Sequence, residues 1–524
     1  MLASLLSATV LGLDGRVIRV EVDVAPGLPG FTIVGLADAS LREARERVRG
    51  AIRNSGLVHP PRRITVNLAP ADLPKAGSSL DLAIALGILV GSEQLRPVAG
   101  AAACLGELSL SGEVRAVPGV LPMVAALARA GLRRVIVPAD AEPEARLVPG
   151  IEIVPVATLA EAVDRLRRRA RPGPVAPERV DLAGPEDGPA ARLGSEGPAT
   201  PEAPVPDLAE VHGQAEARRA LEVALAGGHG LLLSGPPGIG KTLLARTIPG
   251  LLPDLGDADA LMATIVASVA GEGPVGRLVR RPPFRTPHHT ASHAAIVGGG
   301  PGPRPGEVTR AHTGVLFLDE LPEFSRDVLE SLRGPLEDGR VEIARAGGSL
   351  VLPARFQLVA AMNPCPCGHA GSAVRKCSCL RGVPERYVRR ISGPLRDRID
   401  LWVAMPQVSA SALLVGPTPE DSATVRRRIQ AARARQAARP PGHLNARVSG
   451  RALRAVTGLS RAALRHVAEL ADREQLSGRG TERLLRVART IADLDDAGPV
   501  GVEHLDEAAR WRIPAGRPLT ELAA

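Results

Sequence analysis

The 524-residue chain is predicted to be a multidomain α/β protein built around a doubly wound P-loop domain. Three observations carry that expectation. A glycine-rich stretch, Gly235-Pro236-Pro237-Gly238-Ile239-Gly240-Lys241-Thr242, sits between an apolar run, Gly230-Leu-Leu-Leu-Ser234, and the helix-compatible Leu243-Leu-Ala-Arg246. Two more apolar runs, Gly314-Val-Leu-Phe-Leu318 and Phe356-Gln-Leu-Val-Ala-Ala361, read as further strands of a nucleotide-binding sheet. The length itself exceeds a single core and calls for two to four domains of roughly 100–200 residues each.

Residues 1–172 alternate short strands and helices. Arg16-Val-Ile-Arg-Val-Glu-Val-Asp-Val24, Phe31-Thr-Ile-Val-Gly-Leu36 and Ile64-Thr-Val-Asn-Leu68 read as strands, and Ser40 to Ile52 as a helix with Ser40 and Glu43 forming a capping box. This is an α/β or α+β domain. Residues 173–206 are dense in Pro, Gly, Ala and Glu without an apolar period, which predicts a flexible linker. The P-loop domain follows over 207–410. Residues 411–524 turn helical and rich in Ala, Leu and Arg, ending in a helix predicted at His504–Arg512.

Composition narrows the setting. Hydrophobic content of 45% and charged content of 23% are ordinary for a globular protein. No apolar run reaches the ~18 residues of a membrane span, and the opening segment lacks a basic leader, so a cytoplasmic protein without a membrane partner is expected. The net charge of +9 is almost wholly arginine, since Lys75, Lys241 and Lys376 are the only lysines; it favours a polyanionic partner weakly. One Tyr, two Trp and five Phe leave few rings on which bases could stack, which argues against a stacking platform for single strands. Any nucleic acid is gripped by its phosphates.

The motifs supply the chemistry. In the G-x-x-x-x-G-K-T stretch the glycines permit a tight loop whose N–H groups face the phosphates of ATP, Lys241 reaches the β/γ-phosphates and Thr242 holds Mg²⁺. A plain Gly/Pro turn is the competing reading, and the scarcity of lysine decides against it. Val315-Leu-Phe-Leu-Asp319-Glu320 then provides an apolar strand ending in two carboxylates, Asp319 to act through Mg²⁺ and Glu320 to polarise the attacking water. Four of the five cysteines, Cys365, Cys367, Cys377 and Cys379, fall in a C-x-C, nine residues, C-x-C pattern. A four-thiolate Zn²⁺ site and a set of reduced, metal-free cysteines both fit it. His288, His289 and His293 lie in a Pro/Thr-rich loop whose spacing no helix fixes, and a pore-side loop is the preferred reading over a second metal.

With Asn363 closing the strand Leu358-Val-Ala-Ala-Met362, these residues resemble the AAA+ ATPases. The resemblance implies a ring of subunits, Asn363 as sensor 1, and Arg398 of Gly393-Pro-Leu-Arg-Asp-Arg-Ile-Asp400 as the arginine finger reaching a neighbour's γ-phosphate; Arg396 and Arg390 compete for that role. Ser477-Gly-Arg479-Gly-Thr-Glu-Arg483 is similar to a sensor-2 helix, with Arg479 preferred to Arg483 and a solvated basic face as the alternative. Pro287-His-His-Thr-Ala-Ser-His293, Gly306-Glu-Val-Thr-Arg-Ala-His312, Leu332-Arg-Gly-Pro-Leu-Glu-Asp-Gly339 and Ala361-Met-Asn-Pro-Cys-Pro-Cys-Gly368 resemble the magnesium-chelatase-like branch, and within it the ComM/YifB family, over nearly the whole chain.

In that clade the segment from Gly339 to Pro353 forms a hairpin facing the pore, and Arg340-Val-Glu-Ile-Ala-Arg345 and Leu350-Val-Leu-Pro353 around Gly-Gly support a hairpin directly. Arg345 beside its turn is the candidate DNA-phosphate contact, with a solvent-facing strand end as the alternative. The amino-terminal domain resembles the S5-like fold of the Lon protease domain through Pro74-Lys-Ala-Gly-Ser-Ser-Leu-Asp81 and Gly106-Glu-Leu-Ser-Leu-Ser-Gly112. Lys75 occupies the nucleophile's place and no lysine stands at the partner's, so no catalytic dyad is expected, although Ser78 and Ser79 lie nearby. The C-terminal helical part is expected to act as a lid. The leading functional reading implied by the resemblance is a hexameric ATPase moving on single-stranded or branched DNA, a branch-migration helicase in homologous recombination and natural transformation. The alternatives are a chelatase-type motor for Mg²⁺ insertion into porphyrin and a protein-remodelling ATPase.

Overall fold

The computed structural model describes residues 1–35, 39–71, 73, 75, 77–96, 102–167, 204–273, 275–299, 304–345, 348–372, 375–408 and 419–512. The predicted linker therefore lies outside the described residues except for 204–206. Two compact units form, one from Met1–Thr200, Asp257–Val279 and Gly300–Pro305, the other from Pro201–Gly256, Arg280–Gly299 and Gly306–Ala524. Among the described residues, no helix is long and apolar enough to cross a membrane.

The first unit is organised by a seven-stranded mixed sheet in the order Gly30–Val34, Arg63–Ala69, Asp14–Ala25, Leu2–Leu11, Ala102–Cys104, Arg134–Pro138, Glu152–Val156. Strict alternation builds its long strand: Ile18, Val20, Val22 and Val24 face the core while Arg19 and Asp23 face out. The helix Asp81–Gly91 is buried along its whole length against this face, and Gly87 is required there because a Cβ would lie 2.5 Å from Val22 Cγ2. The predicted helix over Ser40–Ile52 spans Ala39–Asn54, so Ser40 falls inside the first turn and not at the cap.

A second apolar cluster in this unit joins Ala8, Ala103 and Val135 of the sheet to Val120, Val124 and Leu127 of the helix Val120–Arg129. Leu261 and Ile265 of the helix Asp257–Ala270 pack on it. A stretch that follows the P-loop in sequence thus completes the core of the amino-terminal unit. Glu144 fastens it, accepting hydrogen bonds from the Leu121 N–H (2.8 Å) and the Ser268 hydroxyl.

The second unit holds a five-stranded sheet in the order Phe284–Arg285, Val315–Leu318, Gln357–Met362, Leu231–Ser234, Leu401–Ala404, with every pairing parallel. Val315–Leu318 and Gln357–Met362 are buried at every position, the pattern of parallel strands covered on both faces. The carboxy-terminal helices share this core: Ile429 of Ser422–Ala438, Leu484 and Val487 of Gly478–Leu494, and Leu505 of Val502–Arg510 cluster with Leu231 and Val359. Arg340–Arg345 pairs antiparallel with Gly348–Pro353, the hairpin that the Gly-Gly signal predicts, with Arg345 opposite Gly348.

Candidate nucleotide site and cysteine cluster

The strand Leu231–Ser234 delivers the chain into the loop, and the loop opens into the helix Lys241–Arg246. Gly238 and Gly240 adopt φ of +80° and +93°, left-handed values that a Cβ disfavours, so the turn needs glycine there. Lys241, 8% exposed, spends its three N–H donors on the carbonyls of Gly235 (2.7 Å) and Pro236 (2.8 Å) and on Asn363 Oδ1 (3.0 Å). Burial pushes its pKa down to about 8, against the opposing pull of Asp319 and Glu320. The lysine is a buried cation held over the loop by neutral oxygens, which leaves it poised for an anion.

Parallel pairing of the neighbouring strands brings the other groups to the same edge. Thr242 Oγ1 donates to Asp319 Oδ2 at 2.6 Å, an adjacent oxygen pair of the kind Mg²⁺ takes. Asp319 Oδ1 accepts the Glu320 N–H at 2.9 Å, and Glu320 itself sits at φ +53°. Its carboxylate meets His289 Nδ1 at 3.4 Å, while the His289 ring lies 4.2 Å from that of His288 and edge-on to Phe324. Sequence reasoning placed His289 in a loop without seeing this partner. A contact 31 residues away between two loops leaves no periodic signal.

Lys241, Thr242, Asp319, Glu320 and Asn363 therefore converge. The candidate arginines do not. Arg398 lies against Gly230, where a Cβ would stand 2.8 Å from the Arg398 carbonyl, at the entry of the strand whose exit carries the P-loop. Four residues of strand separate the two ends by about 13 Å. The Arg398 guanidinium donates to the Pro394 carbonyl (2.7 Å) and pairs with Glu337. Arg396 is exposed, and Arg390 bonds to the Pro322 carbonyl and Glu323 and stacks over Tyr387.

Arg479 is exposed in the first turn of Gly478–Leu494, whereas Arg483 is buried. Arg483 pairs with Asp397 at 3.3 Å, and its Nε and Nη1 are buried without a hydrogen-bond partner. Arg345 ends its strand beside the hairpin turn, whose residues 346 and 347 lie outside the described set. His312, in a motif that sequence analysis quoted without a role, is a neutral buried acceptor. Burial, then Arg355 and Arg447, pushes its pKa down to about 3, and its Nδ1 accepts the Arg355 N–H at 3.0 Å.

The four cysteine sulfurs of residues 365, 367, 377 and 379 lie within 4.8 Å of one another, the only such ligand group among the described residues; the three histidines form none. In the first unit, Lys75 is 1% exposed and donates to the Pro70 carbonyl, Ser78 is bonded to Glu107, and Ser79 donates to the Ala8 carbonyl at 3.0 Å.

A lysine-bearing P-loop at the carboxyl edge of a parallel sheet, with two carboxylates and an asparagine on adjacent strands, defines a P-loop nucleotide-site fold. Comparison with known proteins agrees and goes further. The chain matches the magnesium chelatase subunit ChlI family over residues 207–413, a second ChlI family over 20–141 and the ChlI carboxy-terminal family over 419–512. It is 46% identical over 519 residues to protein Rv2897c of Mycobacterium tuberculosis, covering 98% of each chain. It is 43% identical to YifB of Escherichia coli (96% of this chain, 95% of the relative) and 40% identical to competence protein ComM of Haemophilus influenzae (98% and 97%). A partial likeness, 32% over 183 residues, links 33% of this chain to 23% of the Lon protease of Salinispora arenicola. The chain belongs to the ComM/YifB family of magnesium-chelatase-like, AAA+ ATPase-like proteins.

Proposed function

We propose that the protein is a Mg²⁺-dependent ATPase that works as a homo-oligomeric ring, a hexamer, and couples hydrolysis to movement on DNA as a branch-migration helicase. The observation that carries this reading is the split of the phosphate machinery. Lys241, Thr242, Asp319, Glu320 and Asn363 crowd one edge of the sheet, and Arg398 stands beyond the other. In its own chain Arg398 is placed at the opposite end of the strand and is engaged by Glu337 and the Pro394 carbonyl, which supports a positive charge supplied by a neighbour, as a ring of shared sites requires. Lys241 and the loop N–H groups bind the β- and γ-phosphates, Thr242 and Asp319 take Mg²⁺, Glu320 accepts the proton of the attacking water, and Asn363 orients that water. Of the two lid arginines, Arg483 retains unspent donors and Arg479 is exposed; one of them completes the phosphate clamp.

The domain layout in this reading is a Lon/S5-like domain at 1–172 without proteolytic chemistry, a linker at 173–206, the ATPase domain at 207–410 and a helical lid at 411–524. What supports a domain without proteolytic chemistry is Lys75 at the place the resemblance gives the nucleophile, with no lysine at the partner's place. Zn²⁺ is the proposed occupant of the four-cysteine cluster. DNA is the proposed track because the chain is basic, carries a hairpin with Arg345 at its tip, and aligns along its whole length with a competence protein. The decisive experiment measures ATPase activity with and without a four-way DNA junction at low salt. Stimulation that fades steeply as salt rises is expected. Turnover indifferent to DNA defeats the helicase and leaves the chelatase-motor or remodelling function.

A further inference from the structure

We infer that the four-cysteine knuckle, closed on one Zn²⁺ ion, is a positioning element of the nucleotide site: it clamps the sensor strand and the P-loop together and so sets the affinity for ATP. This rests on the nucleotide reading above. The sulfur separations are those of a shared ion. Cys365 to Cys367 is 3.3 Å, Cys367 to Cys377 is 3.5 Å and Cys365 to Cys377 is 3.8 Å. A tetrahedron of thiolates at ~2.3 Å from zinc has edges of about 3.8 Å. Backbone donors converge on the same sulfurs: Ala370 N–H on Cys365 at 3.2 Å, His369 and Ser378 on Cys367, Cys379 on Cys377 and Cys367 on Cys379. Such N–H···S bonds suit thiolates and orient them toward a metal.

The knuckle touches the nucleotide loop at both ends of its first arm. Cys365 is two residues from Asn363, whose amide oxygen holds Lys241. Gly368, at φ +82°, lies flat on the P-loop, where a Cβ would stand 2.6 Å from Pro237 Cδ. The arm from Asn363 to Gly368 therefore bridges Lys241 and Pro237, and the sulfur cluster joins Cys377 and Cys379 to it. Without the ion only weak S–H···S contacts hold the four thiols together, and the arm loses its second anchor.

The test uses the full chain purified without chelator and no DNA. About one equivalent of zinc per chain is expected, and the Cys377→Ser/Cys379→Ser double variant is expected to lose it and to bind ATP about tenfold more weakly. Cys104→Ala, a buried cysteine of the other unit, is expected to change neither. Less than about half an equivalent in the wild type overturns the metal, and unchanged ATP affinity in the zinc-free variant overturns the coupling. Should the variant not fold, wild type exchanged with Co²⁺ gives the answer: tetrahedral thiolate–cobalt bands that shift when ATP is added support the clamp, and bands blind to ATP overturn it. A wild type that holds zinc but no ATP sinks the nucleotide site instead.

Discussion

Raising the pH from 7.5 to 9.5 is expected to weaken ATP binding by about twentyfold, through Lys241 alone. The ammonium is buried among carbonyl oxygens and Asn363, and its pKa in the nucleotide-free site is pushed down to about 8. A γ-phosphate binds the charged form and returns that pKa to at least its ordinary ~10.4. The sign follows: binding takes up a proton, so affinity falls as the pH rises past the free-site pKa. With ~8 free and ~10.4 bound, the fraction of sites already charged drops from about three-quarters at pH 7.5 to about 3% at pH 9.5, a loss of about 1.8 kcal/mol. Calorimetric titration of ATP across this range, at fixed Mg²⁺ and ionic strength, measures it. Lys241→Arg is expected to flatten the profile because guanidinium stays charged. Affinity constant within about twofold in the wild type would refute the claim that a buried, depressed lysine meets the phosphate.

Three further outcomes test the same structure. Lys241→Ala is expected to abolish nucleotide binding, and Glu320→Gln to keep ATP bound while turnover falls about 10²-fold or more, the share of a general base; single-turnover hydrolysis separates them. Arg398→Ala and Lys241→Ala chains, each expected to be inactive alone, should regain turnover when mixed, because a mixed interface joins an intact P-loop to an intact arginine; mixtures as dead as their parents exclude a site shared across subunits. Glu144→Ala leaves the Leu121 N–H and the Ser268 hydroxyl buried without their acceptor, at an expected cost of about 2–3 kcal/mol, read as faster hydrogen exchange along Asp257–Ala270.

Much of the site was legible because its parts are local. The P-loop needs glycines at fixed offsets and a lysine beside them, and Asp319, Glu320 and Asn363 each close a short apolar run; these are patterns within about ten residues. The three central strands of the second unit's sheet were legible for the same reason, since burial on both faces writes an unbroken apolar run, whereas the edge strands Phe284–Arg285 and Leu401–Ala404 were not read from the sequence. The helix Asp257–Ala270 was not. Its apolar residues announce a buried face but not whose, and it packs on a cluster whose other helix starts at Val120, more than 130 residues earlier along the chain.

By itself the amino-acid sequence determined the P-loop, the three central strands of the sheet that carries it, the hairpin and the grouping of the four cysteines, because backbone propensity and short-range spacing settle each of them. Tertiary structure alone decided which of these meet. It set His289 against Glu320, laid Gly368 on Pro237, and put Arg398 at the far end of the strand from Lys241. Those contacts depend on strand order and on packing between segments far apart in the chain, and no local pattern encodes either.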